Sequence, residues 1–434
     1  MKILLKEGRV IDPASGRDET ASVLIIDGKI ELVGAPGEFS GVTDTEVVDC
    51  EGKIVAPGLC DIHVHFREPG FEWKETVQTG SQAAVAGGFT TVCCMPNTNP
   101  TIDKAPVVKH ILDAAKRVGI CNVHPIGAIT VGRKSQELAP YIELKEAGCV
   151  AFSDDGAPVS NANLMRRALE YNKMTGCVLT VHEEEETLTA GAVMNESELS
   201  VAMGLKGFTG AAEDILIARD IELARLTGGR VHFQHVSTGR GALLIRRAKE
   251  DGINVTAETA SHYLILDESA VAGYNTQAKV SMPLRSPADR EAILAAVKEG
   301  VIDCIASDHA PHENDSKRIE FDKASFGFIG LQSTLPVMME FVRSGTLTLP
   351  KVIDLLTAAP ARCMNLRSPS LARGAVADIV VIDPERSVTY DAAYIRSKSK
   401  NSPLLGRTLT GVAVRTYYRG REVYNLDRKL ESNR

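Results

Sequence analysis

Two histidines stand one residue apart in Asp61-Ile62-His63-Val64-His65-Phe66-Arg67, inside a short run of strand-like character. Side chains alternate across a strand, so Asp61, His63, His65 and Arg67 are expected on one face, and Ile62, Val64 and Phe66 on the other. A buried imidazole pair with nothing between its rings is costly to desolvate, whereas a divalent cation uses both nitrogens as ligands. The spacing therefore predicts a metal site. Further ligand types occur at the ends of other apolar runs: Asp154-Asp155, His182, His235 and Asp308. Four imidazoles and two carboxylates are enough for two ions with one carboxylate shared, and spacing alone allows either Asp154 or Asp155 as the bridge. Nitrogen and oxygen donors without thiolate suit Zn²⁺, with Mn²⁺ or Co²⁺ as substitutes. The chemistry expected of such a centre is metal-assisted attack of water on a polarised carbonyl.

The remaining histidines read as structural. Strand parity places His235 with Val231 and Phe233 on the inner face and His232 on the opposite, helix-facing side. His110 falls in a predicted helix and His124 in mid-strand, while His262 follows a strand and could approach the centre. The nine cysteines are odd in number, scattered and without a C-x-x-C pair, so buried free thiols are expected.

Eight apolar runs must position these groups: 61–66, 89–95, 122–126, 149–152, 177–182, 230–235, 254–259 and 304–307. Between them lie helix-period segments, among them 74–86, 105–118, 164–175, 214–227 and 288–298. Eight strand-then-helix units predict an α/β fold, a (β/α)8 TIM-like barrel whose functional groups project from the C-terminal strand ends. The expected boundaries are 56–366 for the barrel, with residues 1–55 and 367–434 joining the two chain termini in one small β domain. Asp27-Gly28 between two apolar runs is a hairpin signal in that domain.

The 434 residues carry 49 Lys+Arg against 56 Asp+Glu, a formal charge of −7, with no basic block. That argues against nucleic acid and anionic membrane as partners. Neither an apolar signal region nor an apolar run long enough to span a bilayer is found, so a cytoplasmic enzyme acting on a small molecule is expected. Any anion must be held by a local site.

Longer strings carry a resemblance. Pro57-Gly58-x-x-Asp61-x-His63-x-His65 resembles the entrance motif of the metal-dependent amidohydrolase superfamily. His63-Val64-His65-Phe66-Arg67-Glu68-Pro69-Gly70, Met95-Pro96-Asn97-Thr98, Phe152-Ser153-Asp154-Asp155-Gly156 and Ser307-Asp308-His309-Ala310-Pro311-His312 narrow it to the class I bacterial dihydroorotases. The likeness covers nearly the whole chain, including Gly374-x-x-Ala377-Asp378-Ile379-Val380.

That resemblance implies reversible cyclisation of N-carbamoyl-L-aspartate to L-dihydroorotate in pyrimidine synthesis. It implies two Zn²⁺ per subunit bridged by Asp155 and hydroxide, one held by His63, His65 and Asp308, the other by His182 and His235. Asp308 is then the catalytic proton carrier. His65, Arg67, Asn97, Ser281 and His312, with the backbone of Phe326 and Gly327, are expected to bind substrate. Hydantoinases and allantoinases use a carbamylated lysine as the bridge, and 152–155 offers none. A homo-oligomer is expected, with aspartate transcarbamoylase as an optional partner. Two alternatives stand beside this reading, another cyclic amidase and an inactive scaffold for the transcarbamoylase. Ser281 replaces an asparagine usual in the family, which shortens its reach to the substrate; Ser325 replaces a proline, so 313–330 is expected to act as a mobile lid.

Overall fold

The computed structural model describes residues 1–39 and 41–428. Five strands open the chain: β1 Lys2–Asp12, β2 Arg17–Ile26, β3 Lys29–Gly34, β4 Glu46–Asp49 and β5 Ile54–Pro57. The β2–β3 hairpin turns on Asp27 and Gly28, with φ of 48° and 80°. Positive φ at both positions is what a two-residue turn matching the strand twist requires.

The barrel follows with β6 Leu59–Val64, β7 Phe89–Cys94, β8 Asn122–Gly127, β9 Ala151–Phe152 and β10 Val178–Val181. A short parallel pair, β11 Met194–Asn195 and β12 Gly207–Phe208, lies in the following connection. Three further barrel strands are β13 Val231–Phe233, β14 Val255–Ala260 and β15 Cys304–Ala306. All neighbours pair in parallel from β6 round to β15. A bridge between Val64 and His309, with the His65 N–H donating to the His309 carbonyl at 2.9 Å, draws the ends together. The chain then returns to the first sheet as β16 Ile379–Thr389, β17 Thr408–Tyr418 and β18 Arg421–Asn425, in the order β18-β17-β16-β5-β1-β2-β3 with β4 beside β1. Both chain ends thus build one sheet beside the barrel.

The helices show why the pattern was readable. Ala105–Val118 has Pro106 in its first turn and ends at Gly119 with φ 61°, and it buries Val107, Val108, Ile111, Ala114 and Ala115. That spacing makes one apolar stripe facing the strands. Val231 and Phe233 pack in the same helix-facing core, whereas Cys60, Ile62, Cys93, Ile126, Ala151, Val178 and Cys304 form an interior layer capped by Ala359, Cys363 and Met364. Eight cysteines are buried and Cys177 is half-buried, all as free thiols. Among the described residues no helix is long and apolar enough to cross a membrane.

Three parity expectations are corrected, the first being Val231 and Phe233, expected on the inner face but packed in the helix-facing core. Ile62 joins the interior layer with Cys60, while Val64 and Phe66 alone face the helices. The β6–β7 register shifts between Asp61 and Val64, so the alternation slips there, as it does at a bulge. His232 is likewise not helix-facing: it bonds Thr256 and Glu258, and Glu258 in turn bonds His63. Strand β13 ends at Phe233, and His235 has a φ of 34°, which turns its ring back inward regardless of parity.

Candidate metal centre

Each group stands at or just beyond the C-terminal end of a strand. His63 lies within β6 and His65 follows it, Asp155 lies three residues past β9, His182 immediately follows β10, His235 lies two residues past β13 and Asp308 two past β15. Arg67, His235 and Asp308 have φ of 62°, 34° and 45°. Side chains other than glycine hold such conformations only where the surroundings over-determine them, at a cost of roughly 1–3 kcal/mol each. Here that backbone lets residues beyond the ladder aim at one point.

The Asp155 carboxylate is the hub. It lies 3.3 Å from His63 Nε2, 3.5 Å from His65 Nε2, 3.6 Å from His235 Nε2 and 3.9 Å from His182 Nδ1. Asp308 Oδ1 lies 3.3 Å from His65 Nε2 and 3.5 Å from His63 Nε2. Asp154, the other carboxylate of the pair, turns away and accepts from the Ile129 and Thr130 N–H groups and the Thr130 hydroxyl. All six inward side chains are buried.

Outer contacts fix which ring nitrogen faces the hub. His63 Nδ1 meets Glu258 Oε1 at 2.6 Å, His65 Nδ1 meets Asn97 Oδ1 at 3.0 Å, and His182 Nε2 meets Glu184 Oε2 at 3.2 Å. With the outer nitrogen donating, each inner nitrogen is the one turned to the hub and offers its lone pair once the ring is neutral, the pattern of a metal-ligating histidine and its supporting acceptor. His63 Nε2 has no hydrogen-bond partner although it is buried, and His182 Nδ1 stands 2.9 Å from His235 Nε2. A divalent cation satisfies such a set of orphaned and crowded donors, so the residues fit the metal that nitrogen and oxygen ligands suit.

The electrostatics agree. Burial opposes charge on Asp308, yet the His65 hydrogen bond and the neighbouring imidazoles hold it at about 2. Burial likewise opposes charge on Asp155, and the charge of His63 with hydrogen bonds from His235 and His63 holds it well below the carboxylate range. His63 is pulled down by burial and lifted further by Asp155 and Glu258, ending well above the imidazole range. The carboxylates are ionised and wait for positive charge.

Glu258, Glu184, Gln234 and Lys74 were not among the residues expected from sequence. Glu258 is fully buried in β14, and a lone acid in the run Val255–Ala260 was its only signal. Gln234 Nε2 reaches Met95 Sδ at 3.4 Å and Ser153 donates to its Oε1 at 3.3 Å, bracing the interior.

Above the hub opens a cavity of about 890 Å³ lined by His65, Arg67, Asn97, Ser281, His312, Phe326 and Gly327, among others. Arg67 donates through Nε to the Pro311 carbonyl at 3.3 Å and lies 3.2 Å from His312 Nε2 through a terminal nitrogen. Lys74 Nζ sits 3.2 Å from His312 Nδ1. His312 is therefore wedged between two obligate donors, and a neutral imidazole has only one nitrogen able to accept. The arrangement is short of an acceptor, which an incoming carboxylate supplies. The Gly327 N–H is already spent on the Lys279 carbonyl at 2.9 Å, and its carbonyl accepts from Asn401 and Lys317 at 3.1 and 3.0 Å.

The segment 313–330 is stitched down. Lys317 Nζ, almost fully buried, donates to the carbonyls of Lys279, Ser325 and Gly327, and Lys279 Nζ donates to those of Phe321 and Asp322. His262 is buried against Tyr263 and Phe328, and burial, outweighing the nearby Asp308 charge, lowers it to about 4. His110 is half-exposed beside Glu68 at 3.5 Å, far in sequence and role from the cavity.

Residues 52–240 match the family model described as Dihydro-orotase-like. The chain is 48% identical to a dihydroorotase of Trichlorobacter lovleyi over 98% of its own length and 100% of that protein. It is 49% identical to a dihydroorotase of Pelotomaculum thermopropionicum, over 98% of each chain. Among solved structures, an L-hydantoinase (dihydropyrimidinase) from Arthrobacter aurescens superposes with a TM-score of 0.86 at 25% identity, over 99% of this chain and 97% of that one.

Proposed function

The chain belongs to the dihydroorotase family, a hydrolase group acting on cyclic amide C–N bonds, and from that membership we propose how its own residues carry the reaction. The reaction is the reversible closure of N-carbamoyl-L-aspartate to L-dihydroorotate with loss of water, in pyrimidine synthesis. The observation that carries the reading is the convergence of four imidazoles and two ionised carboxylates directly below Arg67 and His312.

Two Zn²⁺ ions are the proposed occupants, His63, His65 and Asp308 holding one, His182 and His235 the other, and Asp155 shared. When bound, they supply an acidified water and a polarised amide carbonyl. Asp308, ionised at neutral pH, takes at a carboxylate oxygen the proton that the attacking water releases, and delivers it to the departing ring nitrogen. In ring closure the same oxygen carries the proton the other way. Burial lowers Arg67 only to about 10, so it stays charged at neutral pH. Its guanidinium grips the substrate carboxylate with parallel hydrogen bonds, while His312 and the Asn97 amide close round it. Asn97 has a second role, because its Oδ1 fixes the His65 ring. Ser281 lines the same cavity with a short hydroxyl, beside the backbone of Phe326 and Gly327.

The family reading extends to a homo-oligomer in the cytoplasm with aspartate transcarbamoylase as an optional partner, and its support is the full-length likeness to the dihydroorotases above. The test is ring opening of dihydroorotate beside hydantoin and allantoin. Dihydroorotate should be opened at least about a hundredfold faster in kcat/KM, because the two uncarboxylated rings leave the Arg67–His312 group unpaired. Equal turnover of all three would overturn the assignment of that group.

A further inference from the structure

Beneath the centre, three more donor side chains meet Glu258 inside the barrel. His232 from β13, Glu258 from β14 and Cys304 from β15 place one ligand atom each within 4.8 Å of one another, and all three are fully buried. Cys363, at the end of the helix Ala358–Cys363 that caps the barrel floor, brings its Sγ to 3.9 Å from Cys304 Sγ and lies within hydrogen-bonding reach of His232. Among the described residues this is the one such cluster outside the centre above.

The geometry points to a second metal-binding site, a closed structural one for a single Zn²⁺ or another thiophilic divalent cation, held by His232 Nε2, Glu258 Oε2, Cys304 Sγ and Cys363 Sγ. The donor set is tetrahedral in number and borderline-soft in kind, unlike the thiolate-free centre above it. Two sulfurs on one tetrahedral ion, with metal–sulfur bonds of about 2.3 Å, stand about 3.8 Å apart. The observed 3.9 Å matches that edge; Cys363 lies outside the group of three whose ligand atoms are all within 4.8 Å of one another, so its thiolate completes the set by a side-chain movement toward them. His232 Nδ1 meets Thr256 Oγ1 at 2.8 Å, which holds the ring with Nε2 toward Glu258 Oε2 at 3.3 Å. With four protein donors no position is left for water or substrate, so the ion would tie three strands to the capping helix rather than take part in the reaction. Binding releases the thiol protons and leaves the Glu258 Oε1 contact to His63 in place.

The proposal does not depend on the function assigned above, and its test has a separate readout. The full chain is produced in cobalt-supplemented minimal medium and its absorption recorded. Cobalt bound by nitrogen and oxygen alone gives no thiolate-to-metal charge transfer, so a near-ultraviolet band of that kind reports the lower site only. The band is expected in the wild type and in His182→Asn, at about half intensity in Cys304→Ser and in Cys363→Ser, and is lost when both cysteines are replaced. Cobalt-containing wild type without the band overturns the proposal, as does a band that survives both cysteine substitutions. Should either variant fail to fold, X-ray absorption on the wild type decides the matter: a sulfur shell averaging about two sulfurs shared over three cobalt ions supports the site, and no sulfur shell overturns it.

Discussion

Replacing Glu258 by Gln removes the charge behind the His63 imidazole; Glu258 also faces His232, so the comparison is made in a Cys304→Ser, Cys363→Ser background where only the upper centre binds metal. Glu258 Oε1 receives His63 Nδ1 at 2.6 Å in a fully buried setting, so Nε2 is the nitrogen turned to Asp155 and Asp308. Gln keeps the shape and an acceptor oxygen but removes the charge. A charge-assisted hydrogen bond contributes about 1.5–3 kcal/mol and roughly twice its neutral counterpart, so the loss is about 1.5 kcal/mol at the upper end. At about 1.4 kcal/mol per decade this weakens the cation nearer His63 about tenfold, the lower edge of the 10–100-fold range for outer-shell partners. Competition titration against a chromophoric chelator reads that affinity, and turnover at saturating metal reads the chemistry. The expected result is a tenfold weaker affinity with most of the turnover regained when metal is added. Affinity within twofold of wild type would refute the role assigned to Glu258.

Asp308→Asn should lower kcat by about 10³-fold or more, because an amide cannot carry the proton; a loss under tenfold in metal-replete protein contradicts the shuttle. Arg67→Met should raise KM for dihydroorotate by about 10-fold to 100-fold with metal content unchanged, and parallel loss of metal would make Arg67 structural instead. In metal-stripped protein, Asp308 and Glu258 are both held at about 2, below their ordinary 3.8 and 4.5. Depressed carboxylates stabilise the fold fully above their unfolded values and lose that contribution as pH falls through the folded ones. The urea midpoint should therefore decline from about pH 4.5 down to about pH 2, less steeply in Glu258→Gln; a midpoint that rises on acidification would contradict the sign.

Much of this architecture could be read from residue order. Apolar runs such as Phe89–Cys94 and caps such as Pro106 and Gly119 carry their own signals, because local propensity and burial agree there. Ligand candidates at strand ends were legible for the same reason, since a barrel presents those ends together. Face assignments failed where the backbone leaves the ladder. Ile62 turns inward at a register shift, His232 proves to face the interior, and Val231 and Phe233 pack against the helices, while His235 points inward as expected but through a φ of 34°. Alternation is a property of regular strands, and the site is built where regularity stops. Partners separated by long stretches of chain were also out of reach. Glu258 meets His63 across 195 residues and Lys74 meets His312 across 238, and no spacing rule connects either pair. Asp155 faces the imidazoles while Asp154 is taken up by Thr130, a distinction that spacing does not make.

The proposed centre is a pair of divalent cations held between strands that are distant in the chain. Anomalous diffraction at the zinc edge, from crystals grown in zinc, tests this directly. Two peaks about 3.5–4 Å apart are predicted at the hub, one against His63, His65 and Asp308, the other against His182 and His235, with Asp155 touching both. No peak at the hub in protein that opens dihydroorotate at full rate, or peaks that leave His182 and His235 untouched, would contradict it.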